Sequence, residues 1–412
     1  MPGHIRRSGG VVLCAVLLAA ALTACGSGDG GDGGGAHRPV TVAGKQQRSA
    51  PLPVPRGKGS KLPSDFNGDG APDLVLDDLA HDGLGDDPGI GIVYGRKGHG
   101  LVDGTRQLLT PAKYAARTKG RAPATFASEA SCDLDRDGYA DLVVSTDPPY
   151  DGQGMPPVPL QILFGSPTGI SGKGVTLRIP ARARFGNEWP DQPVCGDFDG
   201  DGRNDLVVHA SGGRLSVLPG PFTRAGAPRG ATGIAQPGGN VPTGPAADLN
   251  GDGADDVMVR AHAGTARSAV ALGGPDGFTK GATYPAGTDA ALGRSGAAVL
   301  TKDGLKLYAP GGTATRTVRV TGDRLAAADL NGDGRMDLAV SDASDRVHLV
   351  IGTGKPRRAP AKGHVIAVAD YDGDGRDDLA LQHTAATTDK VTILSAGRTT
   401  PQPPFSTTLF TP

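Results

Sequence analysis

The chain has 412 residues, with Gly 66 and Pro 34 against only Trp 1, Tyr 7 and Phe 9, and a formal net charge of -1. So much glycine and proline with so few aromatics excludes a long-helix architecture and points to short strands, tight turns and a core of Val, Leu, Ile and Ala. No basic run is dense enough to argue for nucleic acid. The length suits two or three average domains, but an internal repeat can tie it into one.

In chain order, the first 25 residues read as an export signal. Arg6 and Arg7 precede an apolar run over 11–22 that is too short and wrongly flanked for a transmembrane helix. The segment ends in Leu22-Thr23-Ala24-Cys25, which resembles the bacterial lipoprotein box, whose cysteine becomes the lipidated first residue after cleavage. That resemblance implies a diacylglycerol on Cys25 and an anchor on the outer face of the cytoplasmic membrane. The Arg6-Arg7 pair is too little to separate twin-arginine export from the general route. Residues 26–57 follow as a spacer, nearly all glycine over 26–35 and proline-rich at Pro51-Leu52-Pro53-Val54-Pro55. Such a composition buries no core and reads as a disordered tether. The folded body is expected over 58–412, as a monomer.

Within that body one pattern recurs six times, D-x-[DN]-x-D-G-x-x-D followed at once by an apolar run. Side-chain oxygens at positions 1, 3, 5 and 9 and the backbone carbonyl at position 7 form the candidate ligand set. The first loop offers Asp65, Asn67, Asp69, Ala71 and Asp73, and the second Asp133, Asp135, Asp137, Tyr139 and Asp141. The third offers Asp197, Asp199, Asp201, Arg203 and Asp205, and the fourth Asp248, Asn250, Asp252, Ala254 and Asp256. Asp329, Asn331, Asp333, Arg335 and Asp337 make the fifth, and Asp370, Asp372, Asp374, Arg376 and Asp378 the sixth. Six or more oxygens around one point suit a hard cation, and glycine at position 6 permits the sharp turn. Calcium fits better than the smaller, more strictly octahedral magnesium, so about six Ca²⁺ sites are expected.

Position 12 discriminates among calcium folds. An EF-hand needs a bidentate Glu there, between helices, yet the residues are Leu76, Val144, Val208, Val259, Val340 and Leu381. They sit in strand-like runs such as Leu142-Val143-Val144, so each loop joins strand to strand. The same lack of an acid counts against dockerin-like and thrombospondin-type repeats. Loop starts at 65, 133, 197, 248, 329 and 370 give steps of 68, 64, 51, 81 and 41, and the 81 is nearly twice 41. A seventh unit with a decayed loop is therefore expected to begin near Asp289, with Ala291, Gly293 and Ala297 standing where ligands belong. A second apolar segment follows each loop and mostly ends in glycine, at Gly95, Gly165, Gly220, Gly273 and Gly352, and reads as a third strand. Residues 106–109 and 405–409 are candidate outer strands. The expected fold is all-β, a seven-bladed β-propeller with calcium-binding loops in the first hairpin of six blades.

These loops resemble the FG-GAP and VCBS repeats that build the integrin α-subunit head and many bacterial surface propellers. The resemblance spans 58–410 and implies that the calcium loops join the first two strands of each blade. Two features depart from it. A Phe-Gly pair precedes a loop only at Phe185-Gly186, and the Gly-Ala-Pro element is largely missing, which puts integrin-like ligand recognition in doubt.

About half of the 43 acidic residues fall in the six loops. Six bound Ca²⁺ would therefore turn a nearly neutral chain into a basic one, which would attract anionic wall polymers, acidic polysaccharides or headgroups outside the membrane; dispersed solubilising cations are the plainer reading. Nothing resembles a nucleophile elbow, a zinc motif or a phosphate loop, so the expected role is an exported, non-catalytic binding or adhesion module for an extracellular protein, glycan or polyanion. The alternative is a calcium-dependent polysaccharide lyase or hydrolase on the same scaffold. Long loops at 77–89 (with Asp77, Asp78, His81, Asp82, Asp86 and Asp87) and 146–159, together with Tyr150 and Trp189, are candidate contact positions. Cys132 and Cys195 precede neighbouring loops at positions −1 and −2. Export favours a disulfide between them, while the one-residue offset, which changes the face a strand residue presents, argues against it.

Overall fold

The computed structural model describes residues 50–410 except 78, 80–88, 148–157, 212, 236–240, 261–266, 386–387 and 396–400. The described strands form seven antiparallel sheets, each built from strands consecutive in sequence. Blade 1 comprises Leu74–Leu76, Ile90–Arg96 and Gly100–Leu109; blade 2, Thr125–Cys132, Asp141–Asp147, Gln161–Leu163 and Val175–Thr176; blade 3, Val194–Gly196, Asp205–Ala210, Arg214–Leu218 and Thr232–Ala235. Blade 4 is Val241–Ala247, Asp256–Arg260, Ser268–Leu272 and Thr279–Tyr284, and blade 5 is Asp289–Gly293, Gly296–Thr301, Gly304–Tyr308 and Ala314–Val318. Arg324–Ala328, Asp337–Ser341, Arg346–Val350 and Arg357–Lys362 make blade 6, and His364–Ala369, Asp378–Ala385, Thr388–Ser395 and Phe405–Ser406 make blade 7. The molecule is an all-β, seven-bladed propeller.

Its core is divided among seven hydrophobic clusters, one at each interface between neighbouring blades. The second strand of blade 2 shows why the apolar runs do not alternate with polar residues. Leu142 and Val144 pack with Phe66 and Tyr94 of blade 1, whereas Val143 packs with Leu206 and Val208 of blade 3. Both faces are buried, so every position must be apolar. Each such side chain contributes about 1.5–3 kcal/mol of burial.

The seventh interface closes the ring. Tyr371, Ala380, Val391, Ile393 and Phe410 pack against Leu74, Leu76 and Val93 of blade 1. Arg106 Nε donates to the Leu409 carbonyl at 3.2 Å, and the Phe410 ring lies so close to Gly91 that a Cβ there would sit 2.9 Å from it. Residues 106–109 belong to a strand, as expected, but the expected strand at 405–409 shortens to Phe405–Ser406 and continues as a 3-10 turn, Thr407–Phe410. The turn brings Phe410 round to seal the seam, which an extended strand would not do.

The proline-rich stretch also differs from expectation. Leu52 N donates to Gly104 O at 2.7 Å, Gly57 N to Asn67 O at 3.1 Å and Asn67 Nδ2 to Pro55 O at 3.1 Å. Residues 50–57 are thus seated on blade 1 rather than free. Proline's fixed φ suits this extended run, whose backbone donors are the N–H groups of its non-proline residues.

Candidate metal centres

All six loops fold alike. In blade 6, Asp329 Oδ1 accepts from Gly332 N at 2.8 Å and Asp333 N at 3.1 Å, and its Oδ2 accepts from Gly334 N at 2.8 Å. Asn331 Oδ1 accepts from Asp333 N, and Asp333 Oδ1 from Arg335 N, both at 2.9 Å. The same turn recurs around Asp65, Asp133, Asp197, Asp248 and Asp370. It needs a left-handed residue at position 6, supplied by Gly70, Gly138, Gly202, Gly253, Gly334 and Gly375. Position 4 is left-handed as well, at Gly68, Gly200, Gly251, Gly332 and Gly373, with Arg136 (φ 65) the exception. That second requirement was readable in the repeat as a recurring glycine.

Position 9 has a part in the fold that the ligand pattern does not reveal. Asp73, Asp141, Asp205, Asp256, Asp337 and Asp378 are all buried to within 2%. Their Oδ2 atoms accept from the position-2 backbone N–H of Phe66, Leu134, Phe198, Leu249, Leu330 and Tyr371 at 2.9–3.1 Å. The Oδ1 atoms of the first five accept from Gly95, Gly165, Gly220, Gly273 and Gly352 at 2.7–3.0 Å. The glycines that end the third strands therefore serve this carboxylate. At the first four, a Cβ would run into the carbonyl of Pro72, Ala140, Asn204 or Asp255. Burial pushes Asp205 up to about 7 and Asp256 and Asp378 up to about 6.

Acidic groups converge most closely in three loops. Asp133, Asp135 and Asp141, then Asp197, Asp199 and Asp205, then Asp370, Asp372 and Asp374 bring oxygens within 4.8 Å of one another. The other three loops carry Asn67, Asn250 or Asn331 at position 3. In blade 2 the Asp135 side chain is 7% exposed, and its Oδ1 has no hydrogen-bond partner among the described residues. Burial, and then the neighbouring Asp137 charge, push this carboxyl up to about 6. Its Oδ2 and Asp137 Oδ2 pair with Arg224, whose guanidinium lies over the Phe164 ring at 4.4 Å. Arg229 likewise reaches Asp199 and Asp201, each at 3.0 Å. The loop of blade 1 is closed off differently: Asp65 and Asn67 are fully buried, under Pro55, Gly57 and Gly59. The position-12 residues lie buried in the strand that follows each loop, which is the second strand of its blade except in blade 1, where Leu74–Leu76 is the first described.

In four of the six loops the residue at position 8 ties the loop to the one before it. Ala140 N donates to Asp65 O at 2.9 Å, and Asn204 Nδ2 to Asp133 O at 3.0 Å. Asp255 and Asp377 accept at Oδ2 from the backbone N–H of Asp197 and Asp329, at 2.9 and 2.7 Å.

Blade 5 corrects one expectation. Residues 289–293, expected to begin a decayed loop, are instead the innermost strand, paired with Gly296–Thr301 across the two-residue turn Arg294-Ser295. Ala291, Gly293 and Ala297 are strand positions, so the loop was shortened and not merely stripped of ligands. The strand register puts Gly296 at the aspartate position and Pro310 at the glycine position. Carboxylate and N–H donor are absent together. Asp289 lies at the other end of its strand, where Oδ1 pairs with Arg260 Nη1 at 2.9 Å and Oδ2 accepts from Leu325 N at 2.8 Å. It links blades 4, 5 and 6.

Cys132 and Cys195 form a disulfide with Cα atoms 6.5 Å apart. Their strands belong to different sheets, so the alternation of faces within one sheet does not set their relation. Trp189 is half-buried and lines a cavity of about 60 Å³ with Pro159, Leu160, Leu177, Ile179 and Arg184. Asp77 holds Ser128 of blade 2 through N and Oγ at 2.8 and 2.7 Å. Cys25, Tyr150, Asp78, His81, Asp82, Asp86 and Asp87 lie outside the described residues.

Seven radially arranged sheets, six of them with this recurrent loop, define a β-propeller, and the FG-GAP-like repeat family model matches residues 197–259 and 329–381. Those spans hold the loops of blades 3, 4, 6 and 7. Among solved structures, the chain is similar to BBS1N in its complex with ARL6DN, at 15% identity and a TM-score of 0.47, covering 86% of this chain and 99% of that one. It is also similar to the Dos1 propeller, at 11% identity and a TM-score of 0.46, covering 86% of each chain. BamB from Moraxella catarrhalis is similar at 12% identity and a TM-score of 0.32, covering 79% of this chain and 96% of that one. No curated protein matches the chain.

Proposed function

We propose that the chain is an exported, lipid-anchored propeller whose six loops bind calcium and whose ring serves as a binding or adhesion module outside the cell, for anionic wall polymers or proteins. The observation that carries the metal assignment is in blade 2, where a buried carboxylate oxygen of Asp135 stands without a partner beside Asp133 and Asp141. A buried carboxylate oxygen without a partner is costly even where the other oxygen meets Arg224, and a cation among it and its neighbours removes that cost. The side-chain donors are all oxygens, which fits a hard ion. Positions 1, 3, 5 and 9 would hold it, with the carbonyls of Ala71, Tyr139, Arg203, Ala254, Arg335 and Arg376. Bound calcium would supply charge neutralisation in the loops of six blades and leave a basic loaded surface.

Export and anchoring rest on the signal-like first 25 residues and Cys25. Incorporation of labelled palmitate into wild type but not Cys25→Ala tests the anchor. Retention of intact glycans or wall polymers on an array with calcium present tests the binding role, and release of cleavage products would overturn it.

A further inference from the structure

Charge is segregated along blades 5 and 6. Residues 346–369 include Arg346, Lys355, Arg357, Arg358 and Lys362 and no Asp or Glu, and residues 304–322 include Arg316 and no Asp or Glu. The fold turns the first of these runs into an edge. Arg357–Lys362 is the outermost strand of blade 6, bonded on one side only, to Arg346–Val350. Lys355, Arg357, Arg358 and Lys362 are all exposed. Arg316 of blade 5 crosses to the turn that leads into this strand, its Nη2 donating to Gly354 O at 2.7 Å and Nη1 to Gly352 O at 3.3 Å. Carbonyls fix the guanidinium there without neutralising it.

Among the described residues none of Arg316, Lys355, Arg357, Arg358 and Lys362 has an ion-pair partner, while Arg346, Arg260 and Arg229 pair with Asp342, Asp289 and Asp199. The register sharpens the contrast, since Lys362 stands opposite Arg346. Like charges facing across strands destabilise a sheet. Charged side chains and proline both protect an edge from aggregation, and Pro360 already blocks pairing there. A row of uncompensated cations exceeds that need and fits an anionic partner.

We propose that this outer edge, formed by Arg316, Lys355, Arg357, Arg358 and Lys362, is a docking strip for a linear polyanion bearing phosphate or carboxylate groups. The register sets Arg357–Lys362 against the run from Leu349 to Arg346, three residue steps or about 10 Å at about 3.3 Å per residue, and Lys355 extends the strip beyond the strand, so it can meet more than one repeating charge at once. The assignment rests on the binding-module reading and names its partner class and place.

The test is fluorescence anisotropy of the full chain with labelled poly(glycerol phosphate) and, separately, poly-L-glutamate, in calcium at 50 and 200 mM salt. Wild type is expected to bind at least one polymer and to weaken at the higher salt, as counterion release requires. Arg357→Glu with Arg358→Glu is expected to weaken binding at least tenfold and flatten the salt dependence. The matched pair Arg117→Glu with Lys119→Glu, on the connection between blades 1 and 2, is expected to change it less than twofold. A milder Arg357→Gln, Arg358→Gln pair, with an unchanged melting temperature, should fall in between. If wild type binds and the blade 6 reversal has no effect, or both reversals weaken binding equally, the strip is wrong while the module reading stands. If wild type binds neither polymer, the polyanion partner falls altogether. Preference between the two polymers assigns the phosphate or carboxylate source.

Discussion

The backbone N–H of Gly220 donates to Asp205 Oδ1 at 2.8 Å, fastening the third strand of blade 3 to the loop that precedes its second strand. The other oxygen of Asp205 takes the Phe198 N–H at 3.1 Å. Removing this carboxylate strands two buried donors, each costing about 1–3 kcal/mol. Asp205→Ala is therefore expected to lower metal-free stability by about 2–5 kcal/mol in urea unfolding. Gly220→Ala should be destabilising too, since its Cβ runs into the Asn204 carbonyl. An Asp205→Ala chain as stable as wild type would show that the aspartate serves only the metal.

The buried aspartates also set a pH dependence. Asp205 sits near 7, and Asp256 and Asp378 near 6, all raised by burial from an ordinary value of 3.8. Between about pH 4 and 7 the metal-free native state then binds more protons than the unfolded chain, so its stability falls as pH rises through that window. Calcium needs the ionised forms and should reverse the trend. In chelator the melting temperature is expected to be higher at pH 5.5 than at pH 7.5, with the opposite order in excess calcium. The same order under both conditions would count against the loops as metal sites.

The Cys132–Cys195 bond joins the inner strands of blades 2 and 3 across 63 residues. Replacing both cysteines by serine is expected to cost about 2–4 kcal/mol, read as a lower urea midpoint than that of the oxidised protein and equal to that of the reduced one.

Closure of the ring rests on the C-terminal turn. Phe410 is 4% exposed within the cluster shared by blades 7 and 1. Phe410→Ala is expected to cost about 3–5 kcal/mol by leaving a cavity at the seam. Limited proteolysis of that variant should cut first in blade 1 or blade 7, and cleavage starting elsewhere would locate the weak interface differently.

Much of this architecture was legible because two kinds of residue can be read locally. Runs such as Leu142-Val143-Val144 declare strands buried on both faces, and the spacing of aspartates declares a turn that repeats with the blade. Blade 5 shows where such reading stops. The period placed a seventh unit correctly, but counting from loop starts put Asp289 at the wrong end of its strand, because a shortened loop leaves no residues to count. The double role of the position-9 aspartates was hidden for another reason. Their partners are backbone N–H groups of glycines about 15–24 residues away, and a glycine ending a strand carries no mark of the carboxylate it serves. Seating of residues 50–57 on blade 1 was hidden likewise, since it depends on backbone N–H and carbonyl groups of the run, which its side-chain pattern does not mark.

The central claim is that the six loops hold calcium, and calorimetric titration of the chelator-stripped chain with calcium chloride tests it most directly. The account expects saturable binding with a stoichiometry approaching six, reduced by about one in Asp133→Ala, which removes the position-1 carboxylate of the blade 2 loop, together with a calcium-dependent rise in melting temperature. Absence of binding heat with an unchanged melting temperature at millimolar calcium would contradict it.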